Sequence, residues 1–234
     1  MVSEMNPKQL NPQELAQYIQ HTKIAVGSTR DEMITHCEEA LKYGFNAAMV
    51  AGSWVPLAAS ILKGSNVAVA SALDFPTVGV MSSVGKAAEA AELVRLGATQ
   101  IDIGVQIGWL KSGMHREFLE DIAGVVRAAG VPIKVMLELP LLTSAEKELA
   151  VELSMEAGVA YLKNASSGQI ETANPASIRF LVARAKNGVK VKASGSIKSF
   201  SQAQELISAG AALLGTSAGI EIISDSSTNE TKSY

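Results

Sequence analysis

Short apolar runs alternate with longer amphipathic stretches along nearly the whole chain. Each amphipathic stretch ends at a glycine, and the next apolar run begins a few residues later. Glycine accepts the left-handed conformation that closes a helix, so each of these glycines is a stop signal with a physical cause. They lie between 20 and 33 residues apart, about the length of one strand and one helix. The glycines are Gly44, Gly64, Gly97, Gly130, Gly158, Gly188 and Gly210.

The apolar runs predict eight strands with helices between them. Capping-box spacing of Thr29 with Glu32, and of Thr143 with Glu146, marks two helix starts. Pro175 stands where a proline fits the first turn of a helix. The predicted strands are residues 19–24, 46–50, 67–73, 100–105, 133–138, the run that begins at 161, 189–194 and 212–216.

Eight strands alternating with eight helices predict a single (β/α)8 TIM barrel. The competing architecture is a doubly wound open sheet, which usually carries a glycine-rich phosphate loop after its first strand. Residues 21–28 contain no such loop, so we favour the barrel. We place the barrel domain at residues 1–223, with a short N-terminal helix opening at Asn11-Pro12. We expect the polar residues 224–234 to form a mobile tail.

Two lysines stand at strand ends in matching contexts. Lys163 ends the sixth strand, and Lys192 lies near the end of the seventh, 29 residues later. A charge in an apolar strand is unfavourable unless it is paired or functional. If the two strands are neighbours, Lys163 and Lys192 can face each other in one cavity. A lysine beside a second cation loses basicity and becomes an amine nucleophile. One such lysine is ordinarily a surface residue with its amine in water, but two in matching positions favour catalysis.

The remaining polar residues at the carboxyl ends of strands can contribute to a site, because TIM-barrel sites lie at that end. The three histidines, His21, His36 and His115, are dispersed along the chain. A zinc enzyme needs several imidazoles converging on one ion, so we expect no metal and no cofactor. The polar strand-end residues besides the lysines are Thr22, Asp74, Asp102, Gln106, Glu138 and Ser217.

Composition narrows the classes of function. A net charge of −3 and an aromatic content of 5% argue against nucleic acid and against an anionic membrane surface as partners. No apolar run approaches the length of a membrane span, and the polar first ten residues do not resemble a signal peptide. The single Cys37 excludes an internal disulfide and suits a reducing compartment. We therefore expect a cytoplasmic protein.

Several segments, in the same order along the chain, resemble deoxyribose-phosphate aldolases. The similarity runs from about His21 to Gly219 and implies a class I aldolase on a TIM barrel. Such an aldehyde-lyase of carbohydrate degradation reversibly joins acetaldehyde and D-glyceraldehyde 3-phosphate into 2-deoxy-D-ribose 5-phosphate through a lysine Schiff base. Aldehydes and sugar phosphates would be its small-molecule partners, and we expect a homo-oligomer, either a dimer or a tetramer. The segments are Asp74-Phe75-Pro76, Ile101-Asp102, residues 107–113, Tyr161-Leu162-Lys163, residues 191–195 and Gly215-Thr216-Ser217.

The resemblance implies a role for individual residues. Lys163 matches the Schiff-base lysine, and Lys192 matches the second lysine that keeps the first one nucleophilic. Asp102 matches the acid that relays protons together with Lys192 and a water; its alternative role is a structural ion pair. The implied substrate-binding and phosphate-binding residues are Thr22, Gly168, Gly195, Ser196, Lys198, Gly215 and Ser217.

The sequence also departs from the family pattern, mainly around the phosphate. Ser196 replaces a glycine, and Lys198 replaces an arginine and lacks its bidentate fork. Gln20 stands where the family usually has an acid. Two alternatives therefore stay open: a Schiff-base aldolase with a different or unphosphorylated acceptor, and a barrel that binds a sugar phosphate without catalysis. Gly195 and Gly215 have turn glycines as their alternative interpretation.

Tyr234 ends the polar C-terminal segment. Composition alone predicts a frayed terminus. In some family members a similar segment ends in a tyrosine that enters the site and assists proton transfer. About ten extended residues, at roughly 3.3 Å each, could span the barrel mouth. Tyr234 is therefore a candidate proton relay.

Overall fold

Eight parallel strands close into one barrel in sequence order, with β1 paired to both β2 and β8. The computed structural model describes residues 10–229. The prediction of a TIM barrel is confirmed, and the open sheet is excluded because the first and last strands are hydrogen-bonded. The strands are β1 Ile19–Lys23, β2 Ala47–Val50, β3 Ala68–Leu73, β4 Gln100–Gly104, β5 Ile133–Met136, β6 Tyr161–Lys163, β7 Lys190–Ser194 and β8 Leu213–Thr216.

Ten α-helices surround the barrel within the described residues. Two short 3-10 helices, Gly52–Trp54 and Leu139–Leu141, and the five-residue α5 were not predicted, because segments this short show no helical period. The helices are α1 Pro12–Ala16, α2 Arg30–Tyr43, α3 Val55–Leu62, α4 Ser83–Arg95, α5 Ile107–Lys111, α6 His115–Ala129, α7 Ser144–Glu156, α8 Pro175–Val182, α9 Phe200–Ser208 and α10 Gly219–Asn229.

The predicted helix boundaries rest on local chemistry that the structure confirms. Thr29 and Thr143 each accept a hydrogen bond from the third residue of their helix, and the glutamate there bonds back to the cap. An equivalent capping box at Asn11 opens α1. All seven glycines that end the predicted units have positive φ. Local stop and start signals therefore account for most element boundaries.

Helix α10 extends past the predicted start of the C-terminal tail. It continues to Asn229, so the boundary expected at residue 224 falls inside a helix. Polar composition alone did not show that the segment could continue the helix that follows β8. The last five residues, including Tyr234, lie outside the described residues.

The barrel interior is asymmetric, and this asymmetry makes room for the site. Alanines and one methionine on β2 and β3, among them Ala47, Met49 and Ala70, form a small cluster of their own. The strand β4 instead carries the buried Asp102, and β5 to β7 carry lysines that are fully or almost fully buried. Small side chains on one side of a close-packed barrel leave volume for long ones on the other.

No helix among residues 10–229 combines the length and the apolar character that crossing a bilayer requires.

Candidate active site

Asp102 on β4 is the centre of a buried cluster of three lysines. Its Oδ2 lies 3.1 Å from Nζ of Lys163 and 2.7 Å from Nζ of Lys192, and its Oδ1 lies 3.2 Å from Nζ of Lys134. Strand register explains the cluster, since Asp102 pairs with Lys134 and Lys163 pairs with Lys192. The expectation that Lys163 and Lys192 face one cavity is confirmed.

The cluster holds more positive than negative groups in a space without bulk water. The side chains of Asp102 and Lys134 are fully buried, and that of Lys192 is 1% exposed. Burial raises the pKa of Asp102, but attraction to Lys192, Lys134 and Lys163 outweighs it and the pKa lies well below its usual range. Burial lowers the pKa of Lys192 and of Lys134, although Asp102 opposes the shift. One carboxylate cannot neutralise three ammonium groups, so the cluster favours a neutral amine.

Gln20 on β1 provides the second partner of Lys192. Its Oε1 accepts a hydrogen bond of 2.6 Å from Nζ of Lys192. Its amide nitrogen donates to Asn46 and Gln100 at 3.2 and 2.8 Å, so the side chain is held at both ends. The acceptor is neutral, which leaves Asp102 as the one carboxylate that pairs with these lysines among the described residues.

A cavity of about 920 Å³ opens above this cluster at the carboxyl ends of the strands. Its wall includes Asp102, Lys163 and Lys192, whereas Lys134 lies behind Asp102 and is not part of the wall. Lys163 is 6% exposed and is therefore the most accessible of the three lysines. The volume suits a small sugar phosphate, since ligand pockets run from about 300 to 1,000 Å³.

All seven residues that sequence analysis proposed for substrate and phosphate line this same cavity. Ser196, Lys198 and Ser217 are exposed at its rim, next to the first residues of α10. Backbone N–H groups at the start of a helix attract anions. The rim therefore combines a cation, hydroxyl groups and a helix N-terminus, which is the chemistry that a phosphate needs.

Three glycines shape the cavity wall by close approach. A Cβ on Gly168 would collide with Oγ of Ser196, and one on Gly195 would collide with the carbonyl oxygen of Glu171. Gly195 also has a φ of +121°, which L side chains rarely adopt. A Cβ on Gly215 would come within 3.0 Å of Cε of Lys192. Gly195 and Gly215 thus have structural roles that do not depend on a phosphate.

Asn164 joins the loop after β6 to Ser194, the last residue of β7. Its Oδ1 accepts from the backbone N–H of Ser194 at 2.9 Å, and its Nδ2 donates to the Ser194 carbonyl at 3.0 Å and to Glu171 at 2.7 Å. Glu138 accepts from the backbone N–H of Ser166 at 2.9 Å. These contacts fix the backbone that directly follows Lys163.

Deoxyribose-phosphate aldolases are found both among the curated proteins and among the solved structures that are similar to this chain. No protein-family model matches the chain. The deoxyribose-phosphate aldolase of Methanothermobacter thermautotrophicus is 41% identical over 90% of this chain and 94% of that protein. The deoxyribose-phosphate aldolase of Thermosynechococcus vestitus is 40% identical over 90% of this chain and 96% of that protein. The tetrameric deoxyribose phosphate aldolase of Aeropyrum pernix has the same fold, with a TM-score of 0.86 and 27% identity over 94% of both chains.

The chain belongs to the deoxyribose-phosphate aldolase family. In this member of the deoxyribose-phosphate aldolase family, Lys163, Lys192 and Asp102 stand together at the base of the cavity. Lys134 and Gln20 complete the cluster, and sequence analysis did not assign them a place in it. Lys134 carried a usable signal, because it is a charge in the middle of an apolar strand.

Two of the polar strand-end residues belong to the scaffold of this aldolase-family barrel. Asp74 pairs with the buried Lys86 at 3.0 Å and accepts hydrogen bonds from the backbone of residues 79–81. Gln106 donates to the carbonyl of Met81 at 2.7 Å. Both side chains shape the loop after β3, so they lie near the site without joining the lysine cluster.

The interpretation of the histidines as dispersed is wrong for two of them. The rings of His21 on β1 and His36 on α2 stack with their centroids 4.4 Å apart. His36 follows His21 by fifteen positions in the sequence, and the packing of α2 against β1 brings them together. His115 alone stands apart, exposed at the start of α6.

Proposed function

We propose that this protein is a class I aldolase that reversibly cleaves 2-deoxy-D-ribose 5-phosphate into acetaldehyde and D-glyceraldehyde 3-phosphate. The observation that carries the proposal is the pair of lysine amines on one Asp102 oxygen at the base of a cavity of substrate size. Lys163 is the nucleophile, because it is the most accessible amine of the cluster. Membership in the deoxyribose-phosphate aldolase family supports the substrate.

The Schiff base forms when the neutral amine of Lys163 attacks the C1 aldehyde carbon of the open-chain sugar. The carbinolamine loses water and becomes an iminium, which is an electron sink. Removal of the C3 hydroxyl proton then breaks the C2–C3 bond, releases glyceraldehyde 3-phosphate and leaves its electron pair in an enamine. Protonation of the enamine at C2 and hydrolysis return acetaldehyde and the free amine.

Asp102 and Lys192 are suited to move the protons of these steps. Lys192 donates to Asp102 at 2.7 Å, so a proton can pass between them without a change of position. Burial lowers the pKa of Lys192, which makes its ammonium group a better proton donor. A water in the cavity would connect the pair to the substrate carbon.

The phosphate lies at the rim, against the loops that follow β6, β7 and β8. The side chain of Lys198 and the start of α10 supply positive potential there. Gly168 and Gly195 line the same space. The remaining proposed contacts come from Thr22, Ser196, Gly215 and Ser217.

A borohydride trap tests the reaction. Acetaldehyde plus borohydride should add a two-carbon unit to Lys163 and inactivate the protein. Lys163→Ala should abolish labelling, while Lys190→Ala, which removes an exposed lysine at the start of β7, should leave it intact. Labelling that persists in Lys163→Ala would contradict the assignment. Stabilisation by the sugar phosphate without any turnover would favour a binding protein.

The second candidate function is a Schiff-base aldolase with an unphosphorylated or different acceptor aldehyde. Two residues at the cavity rim favour it. Ser196 holds a left-handed backbone conformation, with φ of +49°, in place of the family's glycine. Lys198 is a point charge where arginine would make two parallel bonds. Comparing kcat/KM for glyceraldehyde and its 3-phosphate in the synthetic direction decides between the acceptors.

The assembly and the location of the protein stay predictions. The tetramer of the related aldolase from Aeropyrum pernix supports a homo-oligomer, either a dimer or a tetramer. Light scattering on the purified protein would measure its mass directly. The cytoplasmic location rests on the single, buried Cys37 and its fit to a reducing compartment.

A further inference from the structure

A second cluster of titratable side chains, separate from the lysines, lies on the outer face of β1. Glu39 stands one helical turn after His36 on α2, so both side chains point to the same side of the helix. His21, from β1, completes the group. Each residue offers one ligand atom, and these atoms all lie within 4.8 Å of one another.

The separation within this cluster matches that between two ligands on one ion. Nε2 of His21 lies 3.2 Å from Oε2 of Glu39. In a tetrahedral zinc site with bonds near 2.05 Å, neighbouring ligand atoms are about 3.3 Å apart. An ion can therefore replace the proton between these two atoms with little movement. The ligand atom of His36 lies within 4.8 Å of the other two, and its ring must leave the stack with His21 to reach the same ion.

The imidazole of His36 has a free nitrogen in a place where that is unfavourable. His36 is 3% exposed, and its Nε2 has no hydrogen-bond partner within the described part of the chain. A buried polar atom without a partner loses its hydration and gains nothing in return.

We propose that His21, His36 and Glu39 bind one divalent transition-metal ion of the zinc class. Two imidazoles and one carboxylate are a common ligand set for such an ion, and they leave a fourth position for water. The site lies at the edge of the large cavity, which all three residues line. It is separate from the lysine cluster, because Gln20 and His21 project to opposite faces of β1.

The surroundings of the cluster allow an ion to enter. A second cavity of about 290 Å³ reaches His36 and Glu39, and its wall also carries Asp31, Glu32 and Thr35. Lys23 is the nearby cation that opposes binding, and its amine lies 3.8 Å from Glu32. The carboxylates of Asp31 and Glu32 in the wall of this cavity therefore offset the positive charge of Lys23.

Cobalt binding to the tag-free, EDTA-treated protein tests the proposal. Co²⁺ should give the visible absorption of a tetrahedral site, and titration calorimetry with Zn²⁺ should show one ion per chain. His36→Ala should abolish the absorption. Glu39→Gln keeps the size of a half-exposed side chain and should weaken Zn²⁺ binding tenfold or more.

Matched controls separate this site from unspecific binding. His115→Ala removes the exposed histidine, and Cys37→Ser removes the one thiol, which lies beside His36. Both should bind Co²⁺ and Zn²⁺ as the unaltered protein does. Failure of the unaltered protein to bind, or equal binding by His36→Ala and Glu39→Gln, would overturn the proposal. Borohydride labelling of Lys163 is measured independently, so this result does not depend on the aldolase assignment.

Discussion

Lys163 and Lys192 are register partners on neighbouring strands, and both amines contact the same oxygen of Asp102. One carboxylate oxygen therefore positions the accessible amine and the buried one together. Because both amines share one oxygen of Asp102, protonation of one lysine disfavours protonation of the other. The environment of Lys192 should consequently control the pH dependence of the reaction.

Gln20→Glu should shift the pH dependence of kcat to higher pH. A carboxylate at the 2.6 Å contact with Lys192 would favour the ammonium form and raise the pKa of Lys192. Because protonated Lys192 is the proposed proton donor, the alkaline limb of the kcat profile should shift up by about 1 pH unit or more. Gln20→Met removes the acceptor at similar size and should shift that limb downward. Coincident profiles for the three proteins would contradict the role of Gln20.

Ser196→Gly should stabilise the protein. Ser196 has a φ of +49°, and the left-handed conformation costs a residue with a Cβ about 1 kcal/mol. Urea denaturation should show a gain of that order. The neighbouring change, Gly195→Ala, should destabilise instead, because its Cβ would collide with the carbonyl of Glu171 at a φ of +121°. A loss of stability in Ser196→Gly would mean that the serine side chain makes a contact of its own.

Lys198→Ala should raise KM for 2-deoxyribose 5-phosphate far more than it lowers kcat. The side chain is exposed at the rim and is not part of the Asp102 cluster, so it should contribute to binding in the ground state and the transition state alike. Lys198→Arg should keep or improve binding through two parallel hydrogen bonds. Steady-state kinetics with phosphorylated and unphosphorylated substrates provide the measurement. An equal loss with both would place the phosphate elsewhere.

Stability should fall as the pH drops from 6.5 toward 3. The pKa of His36 is about 3 in the folded protein, against 6.5 for the ordinary side chain, because burial disfavours the charged ring. The unfolded chain therefore binds the proton first, and acid favours unfolding by on the order of 5 kcal/mol across the full window. Urea titrations in EDTA at several pH values should show this slope.

The matched variants for that measurement are His36→Gln and His115→Ala. His36→Gln should lose a large part of the acid dependence, whereas His115→Ala should retain it, since His115 is exposed. Part of the pH dependence of stability that remains in His36→Gln comes from His21, because burial also lowers the pKa of His21. Identical slopes in the three proteins would show that His36 takes up its proton in the folded state.

Deletion of Tyr234 tests the proposed proton relay, which lies outside the described residues. If the phenol assists proton transfer at the donor carbon, deletion should slow hydrogen exchange at C2 of acetaldehyde by about 10²-fold. Schiff-base trapping at Lys163 should be unaffected, because the amine and its partners remain. Tyr234→Phe separates the hydroxyl from the ring. Unchanged exchange in both variants would assign the segment no part in catalysis.

Local signals in the sequence determined the order of the strands and helices and the identity of the central lysines. Capping residues, positive-φ glycines and apolar runs act over a few residues, so the printed sequence shows them directly. The matching strand ends at Lys163 and Lys192 predicted a shared cavity for the same reason. The end of α10 at Asn229 was missed, since polar composition does not distinguish a helix from a mobile tail.

Closure of the barrel determined which residues distant in sequence come into contact. Gln20 and Lys192 are 172 residues apart, and Asp102 and Lys192 are 90 apart, so no local pattern relates them. Strand register brings Lys134 against Asp102, and packing of α2 on β1 stacks His36 on His21. Which polar side chains meet depends on the order and stagger of all eight strands, because each strand contributes one or two groups to a common centre. Tertiary structure therefore set the charge balance around Lys163 and assembled the histidine cluster.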